Sequence, residues 1–134
     1  MSTYIDSSAF LAIVNLNDDK HQAAVAAWGR LIDAEEMMVT SNYVVVETIS
    51  LLHARHGIAA VRFFAEDILS MILIEWVDAQ THANALSALL ASSGKQGPSI
   101  VDCTSFEVIH RSGIGNVFVY DRHFADRGLN LVGE

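Results

Sequence analysis

Met37-Met38-Val39-Thr40-Ser41-Asn42-Tyr43-Val44-Val45-Val46-Glu47-Thr48-Ile49-Ser50-Leu51-Leu52 is the stretch on which the fold turns, since its long apolar run admits two readings. On propensity, Val44 to Val46 fits a strand as well as a helix. The run continues to Arg55, beyond usual strand length, and Gly57 stands where a helix would end. Met37 to Thr40 therefore reads as a strand, Ser41 or Asn42 as a cap, and the residues from there to Arg55 as a helix. A strand passing directly into a helix is the unit of an α/β fold.

The same alternation extends both ways. Upstream, residues 2–6 read as a short buried strand, followed by a helix from about Ser8 to Asn15. A second helix runs from Lys20 to about Asp33, with Val25, Trp28, Leu31 and Ile32 at helical spacing. Downstream, Ile58 to about Leu69 predicts a helix with Val61, Phe64, Ala65 and Ile68 along one face. Met71 to Val77 predicts a third strand, and Ala79 to about Ser92 a helix turning Ala83, Leu86, Leu89 and Leu90 inward. Beyond a loop over 92–98, Ser99 opens a helix to about Ser112. Val117–Tyr120 is a fourth strand, Asp121 to Arg127 a short helical turn, and Leu129–Val132 a small last strand. Alternating strands and helices imply a mainly parallel sheet covered on both faces, a three-layer α/β/α sandwich forming one domain over residues 1–134.

Composition narrows the function. With 134 residues, 51% of them hydrophobic, the chain can bury one genuine core, which excludes a disordered tail. No apolar run reaches the roughly 18 residues of a membrane span, and no export signal opens the chain. Cys103 is the single cysteine and reads as a small core residue; a soluble cytoplasmic domain is expected. The formal charge is -8, and the basic residues are scattered at Lys20, Arg30, Arg55, Arg62, Lys95, Arg111, Arg122 and Arg127. Such a surface lacks the basic patch of a non-specific nucleic-acid binder. It suits a basic protein partner, or a substrate of like charge whose phosphates meet metal ions and local arginines.

Four carboxylates stand where elements end or cores lie: Asp6, Glu47, Asp102 and Asp121. Asp6 and Asp121 have a structural alternative, since Asp caps helices well. Asp102 closes Ser99-x-x-Asp102, which resembles a capping box. Glu47 has the weakest alternative, with three valines before it and Ile49, Leu51 and Leu52 after it. Ionised carboxylates converging at the carboxyl edge of a sheet need a cation, and a divalent metal suffices, which points to metal-assisted phosphodiester hydrolysis. His53 and His56 read as exposed surface, His110 and His123 lack metal-ligand spacing, and Trp28, Trp76 and the phenylalanines sit at core spacing. No glycine-rich phosphate loop appears.

At these residues the chain resembles PIN-domain proteins of the VapC toxin type. The matching segments are Tyr4-Ile5-Asp6-Ser7-Ser8-Ala9, Thr40-Ser41-Asn42-Tyr43-Val44 through Glu47-Thr48, Ser99-Ile100-Val101-Asp102-Cys103-Thr104-Ser105-Phe106 and Val119-Tyr120-Asp121-Arg122-His123-Phe124. The resemblance implies a Mg²⁺- or Mn²⁺-dependent endoribonuclease, with Asp6, Glu47, Asp102 and Asp121 as its catalytic and metal-binding acids. Ser8 or Thr104 would supply hydroxyl contacts, and Asp126 is a further nearby acid. It also implies a homodimer held inactive by a cognate antitoxin. Gly97-Pro98 departs from the approach that relatives often carry before Ser99. A stand-alone RNA-processing nuclease and a non-catalytic RNA- or protein-binding module are the rival readings.

Overall fold

The computed structural model describes residues 1–92 and 96–134. Five strands, β1 (Ser2–Ile5), β2 (Met37–Ser41), β3 (Leu73–Glu75), β4 (Asn116–Phe118) and β5 (Asn130–Val132), pair in parallel in the order β3-β2-β1-β4-β5. Between them run α1 (Ser7–Val14), α2 (His21–Asp33), α3 (Asn42–His56), α4 (Ile58–Phe63), α5 (Ala79–Ala91) and α6 (Ile100–Ser112). Successive strand residues point to opposite faces. Thr3, Tyr4 and Ile5 are nevertheless all 0% exposed, so both faces of the central strand are covered and the sheet is the middle layer of three. The α/β/α architecture expected from the sequence is the one observed.

From β1 the chain builds outward on one side through β2 and β3. It then returns to lay β4 against the other side of β1. Strand order therefore reverses between β1 and β4, and open parallel sheets bind ligands beyond the carboxyl ends at such a point. Asp6 directly follows β1, and Asp121 lies three residues beyond β4.

The ambiguous run is helical, and its inner stripe explains why. Val44, Thr48 and Leu52 recur at intervals of four and are all 0% exposed. The Ser41 hydroxyl accepts from the Val44 amide at 3.2 Å. Gly57, at φ +84°, closes the helix in a conformation that a Cβ would strain. In α6, Ser99 and Asp102 form the capping box anticipated from their spacing, and the Tyr4 hydroxyl meets Ser105 Oγ at 2.8 Å, tying that helix to β1.

Several expected faces are corrected. In α2, Trp28, Leu31 and Ile32 pack on the core as expected, but Val25 is 45% exposed and its place is taken by Ala24 and Ala27, small residues that let the helix approach closely. In α5 the inward residues are Thr81 and Ala85, with Leu89 half-buried, and Ala83, Leu86 and Leu90 face out. The helix expected to reach Leu69 ends at Phe63, passes into a π turn over Phe64–Ile68 and then a 3₁₀ turn over Leu69–Met71. Phe64 and Ile68 stay buried through it, while Ala65 is exposed. Trp76, read as core, is 74% exposed just past the edge strand β3. Residues 93–95 of the loop anticipated over 92–98, with Lys95 among them, lie outside the described residues.

Candidate active site

Asp6 is the N-cap of α1. Its Oδ2 accepts from the Ser8 amide at 3.0 Å and from the Ser8 hydroxyl at 2.6 Å. Ser8 Oγ in turn accepts from the Tyr120 amide at 2.9 Å, so one serine joins the end of β1 to the segment beyond β4. The residue is 1% exposed, and Asp6 Oδ1 is buried without a hydrogen-bond partner. Burial first, and then the charges of Asp102 and Asp121, push its carboxyl up to about 6 against the opposing Ser8 bonds.

Asp102 sits in the first turn of α6, with Oδ2 accepting from the Ser99 amide at 3.1 Å. Burial and the Asp121 charge raise its pKa, while the Ser99 bond and His123 oppose the shift. Asp121 caps a 3₁₀ turn, Arg122–Phe124, by accepting from the His123 amide at 2.8 Å. The same turn brings the His123 ring inward. Its Nδ1 lies 2.8 Å from Asp121 Oδ1 and 3.5 Å from Asp102 Oδ2. Ligand atoms of Asp102, Asp121 and His123 all fall within 4.8 Å of one another. Hydrogen bonding to the Gln96 carbonyl, then the two carboxylates, raise the ring's pKa against the effect of burial.

Glu47, nearly two turns into α3, reaches toward this edge rather than into solvent. Its Oε1 accepts a 2.5 Å bond from the hydroxyl of Ser7, the residue after Asp6. It lies outside the tight group of Asp102, Asp121 and His123. The capping readings of Asp6, Asp102 and Asp121 hold, each acid accepting from a backbone amide at the start of a helical segment.

The remaining candidates sort plainly. Ser8 supplies the expected hydroxyl contact to a carboxylate; the Thr104 hydroxyl donates back to the Ile100 carbonyl of its own helix. Asp126 is exposed in a left-handed turn at φ 63° and is not in the tight group. Cys103 is buried, with its thiol pushed up by burial. His123 is the residue that sequence reasoning passed over. The available signal was Asp121-x-His123, two donors one residue apart in a segment expected to turn. Beside the acids, a cleft of about 320 Å³ is lined by Ser8, Asp18, Asp19, Lys20, Arg55 and Tyr120 among others, so it carries two cations and two carboxylates.

The donor set suits a divalent cation. Asp6 Oδ1 and His123 Nδ1 are, among the described residues, the two buried side-chain polar atoms without a hydrogen-bond partner, and both belong here. Buried polar atoms are otherwise almost always paired, and an ion is a standard partner for such atoms.

Comparison with known proteins agrees with this architecture. The family model described as PIN domain matches residues 3–129. The 23S rRNA-specific endonuclease VapC20 of Mycobacterium tuberculosis, from strains CDC 1551 / Oshkosh and ATCC 25618 / H37Rv alike, is 32% identical over 127 residues, covering 94% of this chain and 94% of the relative. The crystal structure of Mycobacterium tuberculosis VapC20, described as a sarcin-ricin loop cleaving toxin, matches with a TM-score of 0.82 at 31% identity, covering 96% of each chain. With a family match over nearly its whole length and a relative this similar, the chain belongs to the PIN-domain family and is of the VapC type.

Proposed function

We propose that this chain is a divalent-metal-dependent endoribonuclease, the toxin of a toxin–antitoxin pair, that hydrolyses RNA phosphodiester bonds. Asp6, Glu47, Asp102 and Asp121 are its working acids and would hold Mg²⁺ or Mn²⁺. The observation that carries this reading is the buried, unpartnered Asp6 Oδ1 beside two further carboxylates at the point where strand order reverses. When bound, the ion supplies an activated water and a positive charge to match the charge that builds on the phosphate.

The protein's own part is positioning. Ser8 fixes Asp6 and the segment beyond β4 in one arrangement, and Ser7 orients Glu47. Backbone amides hold Asp102 Oδ2 and Asp121 Oδ1, the same oxygens that face His123 Nδ1, and so fix their positions. Lys20 and Arg55, lining the neighbouring cleft beside Asp18 and Asp19, offer phosphate contacts.

Ribosomal RNA is the first substrate to test, because the similar VapC20 is named for cleaving 23S rRNA. A cognate antitoxin and a second copy of the chain are the proposed partners. Val46, Leu73, Trp76 and Leu90, each at least half exposed, supply apolar surface for protein contacts. Among the described residues no helix is long and apolar enough to cross a membrane, and the cytoplasm, where the RNA lies, is the proposed place of action. The deciding experiment incubates purified protein with ribosomal RNA in Mg²⁺, in Mn²⁺ and in EDTA, beside Asp102→Asn. Discrete fragments that need metal and vanish in the variant are expected. Wild-type rates in folded Asp102→Asn would refute the assignment.

A further inference from the structure

His123 is the member of the site whose chemistry the four acids do not explain. Its Nε2 lies 2.8 Å from the Gln96 carbonyl oxygen, which only accepts, so Nε2 carries the proton and donates. In the neutral ring Nδ1 is then a lone pair. That atom is buried, makes no hydrogen bond, and lies against Asp121 Oδ1 and Asp102 Oδ2. A lone pair facing two carboxylate oxygens is repelled by them unless a cation lies between or the ring takes up a second proton.

The spacing fits such a cation. Two donors at about 2.1 Å from an octahedral ion and at right angles to each other are about 3.0 Å apart. The contacts of 2.8 and 3.5 Å from Nδ1 to the two carboxylates bracket that separation. The Gln96 carbonyl plays the part usually taken by an outer partner of a metal-bound histidine, fixing both tautomer and ring orientation. Three ligand atoms from Asp102, Asp121 and His123 already converge.

We infer that His123 Nδ1 is a ligand of the divalent ion held by Asp102 and Asp121. The inference rests on the proposed metal site and adds a nitrogen to its otherwise all-oxygen donors. Mn²⁺, though it also favours oxygen, is a transition metal and accepts an imidazole nitrogen more readily than Mg²⁺, which keeps to oxygen ligands. The site should therefore discriminate in favour of Mn²⁺.

The test uses the full, tag-free chain loaded with Mn²⁺ and read by electron–nuclear magnetic resonance for directly bound ¹⁴N. His123→Ala, His123→Gln and Asp102→Asn are measured alongside, with circular dichroism to check folding. Expected are a nitrogen coupling in the wild type and its loss in both His123 variants. Their Mn²⁺ affinity should fall by at least the roughly tenfold that removing a mere supporting partner costs, with a smaller loss for Mg²⁺. Bound Mn²⁺ that depends on Asp102 but shows no nitrogen coupling would overturn the His123 role and leave the metal site standing. It would point instead to a protonated ring acting as a counter-ion. Coupling that persists in both His123 variants would assign the nitrogen to another residue and overturn it too. Mn²⁺ binding that is absent, or unaffected by Asp102→Asn, would bring down the metal site itself. Should the His123 variants fail to fold, the wild-type spectrum alone decides.

Discussion

The acids on the two sides of the strand-order reversal are held by different means. On the β1–β2 side, Glu47 leans on the Ser7 hydroxyl, and Asp6 adds the Ser8 hydroxyl to the Ser8 amide that it caps, the two serines being adjacent in α1. On the β4 side, Asp102 and Asp121 are held by backbone amides, from Ser99 and His123, at the starts of helical segments. An amide at a cap is placed by the fold; a hydroxyl is placed by one replaceable side chain. The first pair is therefore tunable by mutation without touching an acid, and the second is not. The two buried atoms without a hydrogen-bond partner also fall one on each side, Asp6 Oδ1 on the first and His123 Nδ1 on the second.

The strongest challenge to this division is Asp102→Asn. It removes a charge that no hydroxyl replaces, and RNA cleavage should fall by about a thousandfold, the scale of several kcal/mol of lost charge stabilisation. Single-turnover cleavage of ribosomal RNA measures it. Asp6→Asn should also stop cleavage, yet stabilise the metal-free protein. The Asp6 carboxyl has a folded pKa of about 6 against an ordinary 3.8. Its stabilising contribution is thus fully present below 3.8, while the group is protonated in both states, and is lost as pH rises through about 6. Above that pH, ionised Asp6 costs up to about 3 kcal/mol. Urea unfolding in EDTA at pH 8 should show the variant as the more stable protein, with the difference vanishing near pH 4.

Smaller effects test the hydroxyl side. Ser7→Ala frees Glu47 and should lower the cleavage rate about tenfold, as loss of a ligand's outer partner commonly does. Ser8→Ala leaves the Tyr120 amide unpaired and removes one Asp6 bond, and should cost about 1–3 kcal/mol in unfolding free energy. Equal tolerance of both serine substitutions would erase the distinction between the two sides.

The same physics decides which features are legible in the sequence. The helix over Asn42–His56 is readable because its length and Gly57 outweigh three β-branched valines. Asp6, Asp102 and Asp121 are readable as caps because they stand at element ends, and the capping box at Ser99 because its spacing is diagnostic. The inner face of α5 and part of that of α2 are not, since Ala24, Ala27 and Ala85 make close contacts while larger neighbours such as Val25 and Leu90 point outward. Trp76 misleads because hydrophobicity alone does not distinguish a core residue from one exposed past an edge strand. His123 escapes because its partners include Asp102, twenty-one positions back and brought near only by the return of the chain from β3 to β4.

On the proposed function, site and activity both depend on mutual repulsion among these acids, relieved by bound divalent metal. Thermal unfolding at pH 8, in EDTA and in saturating Mn²⁺, tests it for the wild type beside Asp102→Asn. A ligand that binds only the folded state raises Tm, so the ion should raise Tm in the wild type and leave the variant unmoved. No shift in the wild type, or the same shift in both proteins, would contradict it.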